Sequence, residues 1–119
     1  MHTFDDRTPI FQQIAEQIRN AILSGELEEE GQVMSTTQYA TTYRINPATA
    51  GKAMNILVEE GLIYKKRGVG MFVTAHAREQ LRRLRRASFF EETFAPALVE
   101  ANLLGIDDDE LVAFIKENR

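Results

Sequence analysis

Lys65, Lys66 and Arg67 stand in a row just before Gly68-Val69-Gly70, with no acid beside them. Clustered cations at a glycine-bearing turn suit contact with phosphate oxygens, where local charge outweighs the charge of the whole chain. The stretch before them opens on Asn46-Pro47. Asn46 can cap a helix by accepting a hydrogen bond from a free amide of the first turn, and Pro47 at the first helical position loses no bond. Ala50, Ala53, Met54 and Leu57 then recur at helical spacing, and Gly61 is placed to end the helix in left-handed geometry. The opposite face holds Ala48, Lys52 and Asn55, flanked by Thr49 and Gly51. It is small, polar and lightly basic, whereas a merely solvated helix carries more long charged side chains. Residues 62–66 and 71–74 read as two short strands joined through 67–70. A small-faced helix followed by a basic hairpin suits a winged helix-turn-helix, with the helix in a DNA major groove and the wing on phosphates. The same residues would also make a core helix followed by an ordinary solvated hairpin.

Other chemistries have less support. The chain holds no Cys, and its two histidines, His2 and His76, are far apart, which argues against disulfides and against a zinc site. Gly51-Lys52 is not a phosphate-binding loop, because position 46 is Asn where that motif needs Gly. Gly68-Val69-Gly70 opens a strand instead of a helix, so it is not a dinucleotide fingerprint. The acids 107–110 lack the spacing and glycine of a calcium loop and read as a helix start. No nucleophile–base pair and no carboxylate pair is brought together by the sequence, so no catalytic residue, metal or cofactor is expected.

The elements that must hold this surface can be read in order. Residues 1–7 are polar and expected to fray. Thr8-Pro9 reads as a cap and first helical position, and Ile10, Phe11, Ile14, Ala15, Ile18, Ala21 and Ile22 form one broad apolar stripe that Gly25 closes. An acidic loop, 26–32, leads to Val33-Met34, a short strand expected to pair with the wing. Ser35 and Gln38 have the spacing of a capping box for a short helix over 36–43, burying Tyr39 or Ala40. Arg44-Ile45 then makes a tight turn into Asn46, completing a helix-turn-helix.

Several blocks together resemble the GntR family of bacterial transcription regulators. They are Pro9-Ile10-Phe11-Gln12-Gln13-Ile14, Ile22-Leu23-Ser24-Gly25, Asn46-Pro47-Ala48-Thr49, Glu60-Gly61-Leu62-Ile63 and Gly68-Val69-Gly70-Met71-Phe72-Val73. The likeness covers about 8–75, and the Asn-Pro cap with a short C-terminal extension resembles the YtrA subfamily in particular. It implies a winged helix-turn-helix, a homodimer and a palindromic operator. The family's loop before the second helix usually reads Leu-Pro-Ser-x-Arg, with the Arg on DNA, whereas here it is Val33-Met34-Ser35-Thr36-Thr37. Thr37 thus stands where the Arg would be, and the basic residue usual near Gly51 is missing, although Lys52 follows it. Each lost contact would be worth ~1–3 kcal/mol if it read a base, so an unusual operator or weaker binding is expected.

Residues 76–94 form a strong helix former without Gly or Pro. Ala77, Leu81, Leu84 and Ser88 line one side, and most of the rest is arginine, expected to be a solvated face with a few pairs to Glu79 or to acids of a partner chain. Around Phe89, Phe90 and Phe94 the helix turns apolar on more than one side, which calls for more than one neighbour. Pro96 is expected to kink it, with Phe94-Ala95 pushed from regular geometry and a continuation to Leu104 closed by Gly105. A last amphipathic helix follows, holding Leu111, Val112, Phe114 and Ile115.

The expected fold is therefore mainly α with a small β-hairpin wing: a winged helix-turn-helix DNA-binding domain over 8–75, then two C-terminal helices over 76–119 that form a dimerisation extension. On double-stranded DNA, Ala48, Thr49 and Lys52 are expected nearest base edges, below the Asn46 cap. Ser35, Thr36, Thr37 and Arg44 are expected to hold the backbone, and Lys65, Lys66, Arg67 and Gly68 to form the wing contacts. Leu81, Leu84, Phe89, Phe90, Phe94 and Leu98 are expected at the homodimer interface, where the phenyl cluster also leaves room for a small-molecule effector of unknown identity, though a filled dimer core is favoured. The function expected is a sequence-specific transcription regulator, a repressor. The alternative is a winged-helix module for protein–protein contact, which the net charge of −4 and the neutral Thr37 keep open. Without an apolar run or a signal peptide, a cytoplasmic location follows by default.

Overall fold

The structure is a computed structural model and describes residues 4–119. Two compact units divide it, the first reaching Arg82 and the second formed by Arg83–Arg119. In the first, α1 (Ile10–Ser24) is followed by β1 (Gln32–Val33), α2 (Thr36–Tyr43), α3 (Pro47–Glu59), β2 (Ile63–Lys66) and β3 (Gly70–Val73). The first turns of α4 (Ala77–Phe89) belong to this unit as well. After α4 comes a π-helical turn (Phe90–Phe94), then α5 (Ala95–Leu103) and α6 (Asp108–Glu117). Mainly helical, with a small three-stranded antiparallel sheet, the chain is a winged helix-turn-helix carrying C-terminal helices.

The core of the first unit comes from the apolar stripes the sequence displays. Ile14, Ala15, Ile18 and Ile22 of α1 meet Ala50, Ala53, Met54 and Leu57 of α3, and Leu62, Ile63 and Val73 close the cluster from the sheet. Tyr39 and Ala40 of α2 are both buried. No buried side-chain polar atom among the described residues lacks a partner, as a stable interior requires. A bidentate pair ties α1 to the end of α3, with Arg19 Nε donating to Glu60 Oε1 at 2.9 Å and Nη2 to Oε2 at 2.7 Å. Arg78 Nε of α4 donates to the Leu23 carbonyl at 2.9 Å, so a helix C-terminus gains a cationic partner.

Strand order is β1-β3-β2, all antiparallel, with Val33 opposite Met71 and Ile63 opposite Val73. β1 thus pairs with the wing as expected, one residue earlier than the sequence reading placed it.

Several expectations need correction. Thr8 is not the cap of α1: the helix starts at Ile10, Pro9 precedes it, and no side chain caps it. The Thr8 carbonyl instead accepts from Gln13 Nε2 at 2.7 Å. Ile10, at the solvent end of its stripe, stays partly exposed. Residues 4–7 are tied down, because the Phe4 ring meets Tyr43 edge-on at 6.0 Å and the Asp5 amide donates to Gln13 Oε1 at 3.0 Å. The fraying expected of 1–3 lies outside the described residues. Leu81 is 3% exposed and packs in the core of the first unit, one turn after buried Ala77, so it is not available to a dimer interface.

Around Pro96 the helix does continue, but Phe94 and Ala95 keep ordinary right-handed helical dihedrals. The wider π turn absorbs the misfit instead, with the Ala95 amide reaching back five residues to the Phe90 carbonyl. Gly105 follows α5 at φ +72°, as expected of a helix stop. At α6, Asp107 Oδ1 accepts from the Glu110 amide at 2.9 Å, half of the box expected there.

Candidate nucleic-acid interface

α2, its turn and α3 are built by local chemistry. Ser35 Oγ accepts from the Gln38 amide at 3.1 Å while Gln38 Oε1 accepts from the Ser35 amide at 3.0 Å, a complete capping box. Tyr39 and Tyr43 stack at 4.6 Å, and the Tyr39 hydroxyl donates to Gln17 Oε1 at 3.2 Å. Burial, and secondarily the neighbouring Tyr43, pushes the Tyr39 phenol up to about 12. Arg44 turns the chain in left-handed geometry at φ +54°, and the Ile45 amide returns to the Ala40 carbonyl at 3.0 Å. Asn46 Oδ1 then accepts from the Ala48 amide at 2.9 Å, with Pro47 at the first helical position. The capping box, the turn at Arg44-Ile45 and the Asn46-Pro47 helix start are legible in the sequence; the Tyr39 contacts with Tyr43 and Gln17 are not.

α3 buries Ala50, Ala53, Met54 and Leu57, so the opposite face is turned outward: Ala48, Lys52 and Asn55 are exposed, Thr49 and Gly51 half-buried. Gly51 has no positive φ, and a Cβ built there would meet only the Thr36 methyl at 3.8 Å, ordinary contact. Lys52 is placed differently from expectation, since its Nζ sits 4.0 Å from the centre of the Phe11 ring, a cation–π contact across to α1.

The wing follows without slack. Gly61, at φ +76°, ends α3, and the Leu62 amide donates to the Leu57 carbonyl at 3.0 Å. The hairpin closes through the Val69 amide on the Lys66 carbonyl at 2.9 Å, with Gly68 at φ +76° supplying the left-handed residue. Lys65, Lys66 and Arg67 are all exposed at this tip. Lys66 Nζ lies 4.7 Å from the Phe72 ring centre, which leaves Lys65 and Arg67 as the more open cations.

Two supports of the wing went unread in the sequence. Gln32 Nε2 donates to the Val69 carbonyl at 3.2 Å, and the Tyr64 hydroxyl donates to Glu30 Oε2 at 2.7 Å, which holds the phenol above its usual range. Both join residues more than thirty positions apart, and the sheet order β1-β3-β2 brings them together. Thr37 is exposed and shares a shallow neutral groove with Gln32, Met34, Thr41 and Thr42, and Ser35 and Thr36 are half-buried beside it.

In the second unit, Leu84 is 62% exposed and Phe90 is 63% exposed. Phe89, Phe90 and Phe94 touch pairwise, at centroid distances of 5.3, 6.1 and 6.2 Å. Ala101 is its one buried residue. No helix among the described residues is long and apolar enough to cross a membrane.

An outward small-faced helix next to a basic hairpin, behind a capped helix and tight turn, defines a winged-helix protein of the DNA-binding type. The family model for bacterial regulatory proteins of the gntR family matches residues 10–73, and the chain belongs to that family. It is 29% identical over 110 residues to the HTH-type transcriptional repressor YtrA of Bacillus subtilis, covering 92% of this chain and 84% of that protein. It is 39% identical over 72 residues to the HTH-type transcriptional repressor NagR of the same organism, covering 60% of this chain but 30% of NagR. Among solved structures, a GntR family transcriptional regulator from Listeria monocytogenes is similar at a TM-score of 0.76 and 30% identity, covering 98% of this chain and all of that one.

Proposed function

We propose that the chain is a sequence-specific transcriptional repressor that binds a palindromic operator as a homodimer. The observation that carries the reading is the outward face of α3, small and polar, set beside a wing whose Lys65 and Arg67 are open to solvent. In this reading Ala48 and Thr49 lie nearest base edges, and Lys52 joins them by leaving the Phe11 ring. Small side chains let the helix approach closely, and methyl groups of Ala and Thr suit the thymine methyl. Ser35, Thr36, Thr37 and Arg44 face the phosphates from α2 and its turn, and the Asn46 cap fixes the entry of α3. The names of relatives such as YtrA and NagR support the repressor's sign.

The second unit supports the dimer reading. With Ala101 alone buried, Arg83–Arg119 has no core of its own, while Leu84, Phe90, Leu103 and Phe114 are each more than 60% exposed. Apolar surface on that scale marks an interface. Leu84, Phe89, Phe90, Phe94 and Leu98 are the residues proposed to meet a second copy.

The test is fluorescence anisotropy with the DNA upstream of the protein's own gene, over a salt series. A double variant, Lys65→Gln with Arg67→Gln, should weaken binding on every sequence and reduce the slope of log affinity against log salt by roughly 3.6, about 0.9 for each of the four phosphate contacts that the two wings of a dimer would lose. Unchanged affinity and slope would remove the wing from the interface. Absence of binding by the wild type, on this DNA and on a selected random pool, would favour the protein–protein module instead.

A further inference from the structure

The second unit carries charge in two separate blocks, each beginning an apolar face. Along α4 and into the π turn that follows it, Arg83, Arg86 and Phe90 recur at i, i+3 and i+7, so two cations lead into an exposed ring. On α6, Asp108, Leu111 and Ile115 recur at the same spacing, and Asp109 and Glu110 add to the acidic end. Arg83, Arg86 and the three acids are exposed, and none makes an ion pair with another described side chain. α6 does not pack extensively against any element of its own chain, and Val112, Phe114 and Ile115 remain exposed on it.

We infer that α6 of one subunit docks on the α4 face of its partner, Asp108–Glu110 meeting Arg83 and Arg86 while Leu111 and Ile115 cover Phe90. The occupant is a second copy of this chain because the two patterns match in sign, order and pitch. Basic-then-apolar over seven residues meets acidic-then-apolar over seven, about 10 Å along each helix at 1.5 Å per residue. Such a contact is reciprocal in a two-fold dimer, so each pair of blocks occurs twice. First-turn acids also suit the dipole of α6 itself, and that local role explains neither the two unpaired arginines nor the exposed apolar face that follows. The inference rests on the homodimer proposed above and adds its partner surface and its register.

Sedimentation velocity of the full chain across salt concentrations tests it. Asp108→Asn with Asp109→Asn and Glu110→Gln, or Arg83→Gln with Arg86→Gln, should each raise the dimer dissociation constant at least tenfold at low salt and converge on wild type at high salt. A swapped protein, carrying Arg83→Glu and Arg86→Glu with Asp108→Lys, Asp109→Lys and Glu110→Lys, should recover dimerisation that either reversed block alone loses. Circular dichroism of each variant separates loss of helix from loss of contact, and a reversed block that unfolds α6 leaves the arginine variants to decide. A wild type that sediments as a monomer would refute the dimer itself. A wild-type dimer with neutralised variants of unchanged affinity would leave the dimer standing and overturn the charge-matched docking.

Discussion

Replacing Gly51 with Ala should stabilise the fold and damage the function in the same molecule. Gly51 lies inside α3 with ordinary helical geometry, so nothing in its backbone demands glycine. Glycine there costs roughly 0.5–1 kcal/mol relative to alanine, because the unfolded chain has more freedom to lose. The added methyl would meet only the Thr36 methyl at 3.8 Å, so no steric penalty offsets the gain. A gain of about 0.5–1 kcal/mol in urea unfolding is expected, and a rise of roughly 2–8 °C in melting temperature for a unit of this size. The same methyl stands between α2 and the outward face of α3, where the proposed DNA backbone must pass. Operator affinity should therefore fall about tenfold, equivalent to ~1.4 kcal/mol. A destabilised variant would show that the space beside Thr36 is not open. A stabilised variant with unchanged affinity would show that glycine is not there to give DNA clearance.

Asn46→Ala should cost about 1 kcal/mol in urea unfolding, since the Ala48 amide loses its acceptor, and a change below the error of the fit would mean that Pro47 alone starts the helix. For Tyr39, the folded phenol titrates near 12 against an unfolded value of 10, so its contribution is fully present below pH 10 and is lost as pH rises from 10 to about 12. Tyr39→Phe should flatten the stability profile across that window, and ultraviolet titration of the wild type should show Tyr39 ionising last, a step absent from Tyr39→Phe, with Tyr64 also delayed by its bond to Glu30; three phenols ionising together would contradict the burial. Phe90→Glu should give monomers by sedimentation while the first unit melts as in wild type, because the ring is exposed within its own chain. A variant that remains fully dimeric would move the interface elsewhere.

Local signals were the legible part of the fold. Caps at Ser35 and Asn46, the stop at Gly61, the stripes of α1 and α3 and the glycine of the wing turn each depend on neighbours within a few residues, and each took the conformation those neighbours dictate. Contacts over long separations were not legible. Lys52 over Phe11, Gln32 on Val69 and Phe4 on Tyr43 depend on which elements meet, and composition offers no sign of that. Leu81 shows the same limit, since helical spacing gives a face but not whether the face meets the core or a partner. Pro96 predicts distorted geometry at Phe94-Ala95, but a π turn over Phe90–Phe94 relieves the misfit and both residues keep helical dihedrals.

The junction at Gly61 has a consequence for how such a protein can diversify. With one left-handed residue between α3 and the wing, the Leu62 amide held on Leu57 and the Thr74 amide held on the Leu62 carbonyl at 2.9 Å, helix and hairpin cannot be re-angled independently. New operators must then be won by exchanging outward side chains on an unchanging frame. Lengthening the junction by a single residue should be far more damaging than most substitutions on the surface it joins.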